Sequence, residues 1–179
     1  TSIMDSAFPV PFPAPEPLPP GWLTQQEAEV LERLARGRTV LEIGSFRGRS
    51  TVAMARVAKR VFALDWFRGD KNCGSAFTLP AFLDALAYHH VEDKVVILAG
   101  RVEELAPYLV GPFDMVYVDG AHDEESVERD TRLAVRLTTR GSMIVWHDWD
   151  EPAVRSGIKR ALDGSPGQVA AGRIYVWER

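Results

Sequence analysis

The chain has 179 residues, 46% of them hydrophobic and 26% charged, a length that fits one compact domain and leaves no room for a second catalytic one. Its net charge of −4 gives no positive field for a phosphate polymer, so a small-molecule partner is expected and no nucleic acid. The single cysteine, Cys73, forms no internal disulfide, no apolar run reaches the ~18 residues of a membrane span, and the first residues lack the basic start and apolar stretch of a signal peptide. A cytoplasmic protein with no membrane association is expected.

Seven of the twelve prolines fall in the first twenty residues, which removes backbone donors and favours polyproline II. Residues 1–22 therefore read as an extended Pro-rich arm ahead of a domain at 23–179. The arm is either a flexible leader or a segment that packs on a second copy through Phe8, Phe12 and Leu18, giving a homo-oligomer. Thr24 and Glu27 have capping-box spacing, Leu23 stands where a hydrophobic staple begins, and Gly37 suits a stop, so a helix is predicted over 24–36. β-Branched runs then alternate with helical stretches: strand 39–43, helix 50–58, strand 61–64, helix 80–89, strand 95–98, a short helix from 103, strand 113–118, helix 124–137, strand 142–146 and helix 152–162. Parallel strands need such crossovers, so the fold class is α/β, a Rossmann-like doubly wound, mainly parallel seven-stranded sheet. Two short runs around Gly172, within 168–177, close it with a C-terminal antiparallel hairpin.

Ligands in such folds bind beyond the carboxyl ends of the strands. The first strand leads into Glu42-Ile43-Gly44-Ser45-Phe46-Arg47-Gly48-Arg49-Ser50, where glycines permit a sharp turn and the next helix presents free N–H groups. The G-x-G-x-x-G spacing of a dinucleotide site is absent. Glu42 would repel a pyrophosphate but accept a hydrogen bond from an ammonium. Asp65, 21 residues after Gly44, stands where a carboxylate meets a ribose diol. The polar, glycine-rich loop 66–75 carries Trp66 and Phe67, which as a lid would cover a bound ligand or shape a second pocket, or else simply pack. Cys73 has no partner at motif spacing, and His89 and His90 read as surface residues. The strand ends at Asp119-Gly120-Ala121-His122 and His147-Asp148 bring carboxylates and imidazoles to one rim. That rim suits a divalent cation, with a His147 that only hydrogen-bonds its neighbours as the alternative.

The stretches V-L-E-I-G-S-F-R-G-R-S at 40–50, F-A-L-D at 62–65, D-M-V-Y-V-D-G-A-H at 114–122 and I-V-W-H-D-W at 144–149 resemble those of class I S-adenosylmethionine-dependent methyltransferases. Within that class the sequence is similar to small-molecule O-methyltransferases related to catechol O-methyltransferase and to the macrolide-sugar enzymes, from residue 39 to the C-terminus. The resemblance implies S-adenosyl-L-methionine as cofactor, with Gly44, Ser45 and Gly48 around its methionine part and Ser50 near its carboxylate. It implies Asp65 on the ribose, Arg101 and Val102 beside adenine, and Glu42, Trp66 and Asp119 also at the cofactor. The implied reaction is methyl transfer to an oxygen of a sugar- or phenol-like acceptor, with His122 at the position of the general base. Asp119 and Asp148 match two metal positions of the metal-dependent members; the third, ordinarily Asp, Glu or Asn, is His147 here, which shifts the expected ion from Mg2+ toward Mn2+. Two rival readings are an NAD(P)-dependent Rossmann oxidoreductase, which the missing glycine pattern and Glu42 oppose, and a non-catalytic nucleoside-binding or assembly protein.

Overall fold

The computed structural model describes residues 17–71 and 73–179; Phe8, Phe12 and the rest of the expected arm up to residue 16 lie outside them. Helix α1 (Gln25–Ala35) opens with the expected cap, Thr24 Oγ1 accepting from the Glu27 N–H at 3.1 Å and Glu27 Oε2 from the Thr24 N–H at 2.9 Å. There follow β1 (Thr39–Ile43), α2 (Arg49–Ala55), β2 (Arg60–Asp65), a ribbon of β3 (Gly69–Asp70) with β4 (Gly74–Ser75), and α3 (Leu79–Tyr88). The second half runs β5 (Val95–Ala99), α4 (Val102–Leu105), β6 (Met115–Val118), α5 (Glu124–Arg136), β7 (Met143–Trp146), α6 (Pro152–Ala161), β8 (Gln168–Ala171) and β9 (Ile174–Glu178).

The seven-stranded sheet has the order β5-β2-β1-β6-β7-β9-β8, parallel through β7 and antiparallel at β9 and β8, as the sequence pattern predicts. Chain direction across the sheet reverses between β1 and β6, which opens a crevice at their carboxyl ends. Strand alternation decides what fills each face. Leu41, Ile43, Val116, Val118, Ile144 and Trp146 pack toward Val127 and Leu133 of α5 and Ile158 of α6. Val40, Met115, Tyr117, Met143 and Val145 pack on the other face with Leu31 of α1, Val52 of α2 and Phe82 of α3. Trp146 is fully buried and its Nε1–H donates to Thr131 Oγ1 at 3.0 Å, so truncation to alanine would cost about 3–5 kcal/mol. The same alternation puts Glu42 on the face of α2 and His147 on the face of α1.

One expectation changes and one alternative is decided. The loop 66–75 is not wholly irregular, since it holds the β3–β4 ribbon. For Phe67 the packing alternative holds: it is buried, its ring 5.0 Å from that of Phe82. At the other end, the described part of the arm docks on its own domain. Leu18 packs against the α1–α3 core, Arg49 donates to the carbonyls of Leu23 (2.6 Å) and Pro19 (3.0 Å), and Arg173 donates to that of Trp22 (2.9 Å). No described helix is long and apolar enough to cross a membrane.

Candidate active site

A cavity of about 750 Å³ lies beyond the carboxyl ends of β1, β2 and β6. Its floor depends on Gly44, whose φ is +93° and where a Cβ would sit 2.1 Å from the Asp119 carbonyl oxygen; only glycine lets the two strand ends approach so closely. Asp65 fixes the loop that follows. Its Oδ2 accepts from the Ser45 and Phe46 N–H groups, both at 2.7 Å, and its Oδ1 from the Phe67 N–H at 2.6 Å. A carboxylate offers about four acceptor sites, so Asp65, on the cavity wall, retains capacity for a ligand. Ser45, Ser50, Trp66, Arg101 and Val102 also line the cavity, the Arg101 guanidinium 4.4 Å from the Trp66 ring centre.

Glu42 and Gly48 are placed differently from expectation. Glu42 is fully buried beneath the wall, where it accepts from Ser45 Oγ at 2.9 Å and from the hydroxyls of Ser50 and Thr51. It therefore does not meet an ammonium directly; it orients two serines that do face the cavity. Burial pushes its carboxyl up to about 7, against the pull of the three hydroxyls. Gly48 caps α2 in the left-handed region and packs against Phe82 rather than on the cavity wall.

The rim holds the acids and imidazoles. His147 is buried, with Nε2 3.0 Å from Glu27 Oε2 and Nδ1 3.1 Å from Asp148 Oδ2 and 3.7 Å from Asp119 Oδ1. Burial presses the ring toward neutrality, but the Asp148 hydrogen bond and the surrounding carboxylates carry it up to about 9, and each nitrogen faces a carboxylate. Glu27 resists burial in the same way: the N–H groups of Thr24 and Arg173, and then His147, hold it at about 2. Asp148, also buried, is drawn below the usual carboxylate range by His147, His122 and Arg173. Burial lifts Asp119 to about 6, and Tyr117 Oη–H donates to it at 3.2 Å. His122 lies with Nε2 3.1 Å from Asp148 Oδ2 and Nδ1 3.2 Å from Glu151 Oε1.

Asp119 and Asp148 thus meet as expected, but the third group is not His147. The ligand atoms that come within 4.8 Å of one another belong to Asp119, His122 and Asp148. His147 turns its two nitrogens onto Glu27 and Asp148 and so offers neither to an ion. The two Asp148 oxygens already take His147, His122 and, at 3.0 Å, Arg173. This donor set does not fit the hard divalent ion that the resemblance implies, which prefers several oxygens free of competing cations.

Sequence reasoning missed several residues at the site, Glu151 beside His122 among them. Asp130, buried at the cavity wall and held by Arg129 Nε at 3.0 Å, is lifted by burial to about 6. Its signal was an acid on the apolar stripe of α5, among Val127, Thr131 and Ala134. Glu27 was read only as a cap, and nothing in the sequence around Arg173 points to Asp148.

Residues 41–149 match the family described as Methyltransferase domain, more than half of the chain. The chain belongs to that family. It is 33% identical over 142 residues to a catechol O-methyltransferase of Mycobacterium tuberculosis, covering 77% of this chain and 58% of that one. Among solved structures it is similar to the cofactor-bound MTB protein Rv0187, at 27% identity and TM-score 0.69 over 89% of this chain and 82% of that one. It is also similar to the O-methyltransferase TomG of Streptomyces achromogenes, involved in tomaymycin synthesis and solved in complex with SAM, at 26% identity and TM-score 0.62 over 79% and 68% of the two chains. The chain spans 49% to 58% of the length of the curated relatives it matches.

Proposed function

We propose that the chain binds S-adenosylmethionine in the switch-point cavity and transfers its methyl group to an oxygen of a small sugar- or phenol-like acceptor. The observation that carries this reading is the loop at the end of β1, drawn onto Asp65 by two backbone N–H groups while Gly44 brings it against Asp119. Relatives that are O-methyltransferases, one of them solved with SAM, support it. Asp65 accepts from a ribose hydroxyl with its remaining acceptor capacity. Ser45 and Ser50, aligned from below by Glu42, meet the amino-acid end, and Trp66, Arg101 and Val102 border the adenine.

Catalysis rests on alignment and one proton transfer. The acceptor oxygen forms a bond to the methyl carbon as the carbon–sulfur bond breaks, releasing S-adenosylhomocysteine. His122 directs Nε2 at Asp148; an acceptor hydroxyl that takes the place of the half-exposed Glu151 at Nδ1 passes its proton to the ring. Asp148 keeps the ring in that orientation.

Calorimetry with S-adenosylhomocysteine tests the reading, with NAD and NADP as controls for the oxidoreductase alternative. Saturable binding of the sulfur nucleoside is expected, weakened by roughly 1.5–3 kcal/mol in Asp65→Ala. Incubation with S-adenosylmethionine and a panel of phenols and sugars should release S-adenosylhomocysteine. Binding without turnover on any small hydroxyl would favour the non-catalytic nucleoside-binding alternative; binding of NAD alone would remove the assignment.

A further inference from the structure

Asp148 is surrounded by donors that belong to the protein. Its Oδ1 accepts from Arg173 Nη1 at 3.0 Å, and its Oδ2 lies 3.1 Å from both His147 Nδ1 and His122 Nε2. A cation seated between Asp119 and Asp148 would have to displace His122 from Oδ2 while a guanidinium occupies the other oxygen of the same carboxylate. Like charges at that range oppose each other. His147 gives no help to such an ion, because its second nitrogen is spent on Glu27 at 3.0 Å. Arg173 is braced too, with Nε 3.5 Å from Glu27 Oε1 and Nη2 on the Trp22 carbonyl at 2.9 Å. Glu27 therefore ties both side chains to α1 from behind.

We infer that methyl transfer here runs without a divalent cation, with His147 and Arg173 as positioning residues that hold the Asp148 carboxylate aimed at His122. The inference rests on the methyl-transfer reading above. It also bears on the acceptor. A hydroxyl that no cation acidifies must bring its own acidity, and a phenol, with a pKa of about 10, loses its proton to an imidazole far more readily than an aliphatic alcohol, whose acidity is closer to that of water. Phenol-like acceptors are accordingly favoured over sugars.

The test starts with the parent protein loaded with S-adenosylhomocysteine and titrated calorimetrically with Mn2+ and with Mg2+. No stoichiometric binding is expected, and turnover on a phenol in excess chelator should stay within about twofold of turnover with Mn2+. His147→Asn removes the ring that braces Asp148 from the side of α1. It is expected to lose at least about tenfold in kcat under chelation while keeping S-adenosylhomocysteine affinity within about threefold, a split that a merely structural ring would not give. Because that variant perturbs a buried pair, Arg173→Gln gives a second route: its kcat should fall while cofactor affinity holds, and Arg173→Lys should recover part of the loss. One-to-one Mn2+ binding by the parent, or turnover abolished by chelator, would overturn the inference and leave the cofactor reading intact. Failure to bind S-adenosylhomocysteine at all would remove the reading itself.

Discussion

Glu27, in the first turn of α1, lies 3.0 Å from the ring of His147 at the end of β7, although 120 positions separate them in the chain. One carboxylate thereby caps a helix, holds the N–H of Arg173 at 2.9 Å and pairs with a buried imidazolium. Loss of the cap alone costs about 1 kcal/mol, whereas removing one partner of a buried pair costs about 3–5 kcal/mol. Thr24→Ala should therefore be mild and Glu27→Ala severe in urea unfolding. The acid limb carries a sign. Glu27 is held at about 2 against an ordinary 4.5, so the part of its contribution linked to ionisation is present above 4.5 and lost as pH falls through 2, and the gap between Glu27→Ala and the parent should narrow there. Equal losses in the two variants would show that Glu27 acts only as a cap.

Glu42 works in the opposite direction. Its folded value of about 7 stands above the ordinary 4.5, so the stability it contributes is full below 4.5 and is lost as pH rises through 7. Glu42→Gln does not ionise and escapes that loss. The stability difference should shift in favour of the variant by up to about 3 kcal/mol between the two limits, the worth of such a shift at a fully buried site. Unfolding curves at a series of pH values check this; parallel pH dependences in parent and variant would show that the three hydroxyls keep Glu42 in one protonation state throughout.

The alternation of strands and helices made the sheet legible, because burial on both faces leaves long apolar runs at β1, β6 and β7 and strong caps mark α1. Glycine spacing likewise exposed the loop at Gly44 and the carboxylate at Asp65. The position of His147 follows the same pattern: it continues the parity of Met143 and Val145 toward α1, so its Nε2 faces Glu27 while its Nδ1 stays at the rim against Asp148. Asp148, two residues past the strand end with a φ of +60°, escapes that parity and does reach the rim. Parity told which face His147 occupies, yet which residue of α1 it meets depends on how the helix crosses the sheet, a property of packing that spacing does not encode.

Gly44→Ala tests the close approach of β1 and β6. A Cβ would stand 2.1 Å from a backbone oxygen, with no flexible side chain to give way, and the positive φ adds strain of about 1–3 kcal/mol. The strand ends must separate, which pulls the Ser45 and Phe46 N–H groups off Asp65. A drop in thermal stability together with at least about a tenfold loss of S-adenosylhomocysteine affinity is expected. A stability loss with unchanged affinity would mean that the loop tolerates the separation and that Asp65 binds the ribose independently of it.

His122→Gln addresses the base. Among the described residues lining the cavity, His122 and His147 are the imidazoles, and His147 is held with one nitrogen on Glu27 and the other on Asp148. His122 is more open, with 29% of its side chain exposed, and its partner Glu151 is 43% exposed, so an incoming hydroxyl can displace that partner. Loss of the base should lower kcat by about 10²–10⁴-fold with cofactor affinity kept. Glu151→Gln gives the contrast, since a side chain displaced by the acceptor should alter KM more than kcat. Single-turnover rates on a responding phenol separate chemistry from binding. If His122→Gln transfers methyl at the parental rate, the proton leaves to solvent, and the role of His122 shrinks to bracing Asp148 against Arg173.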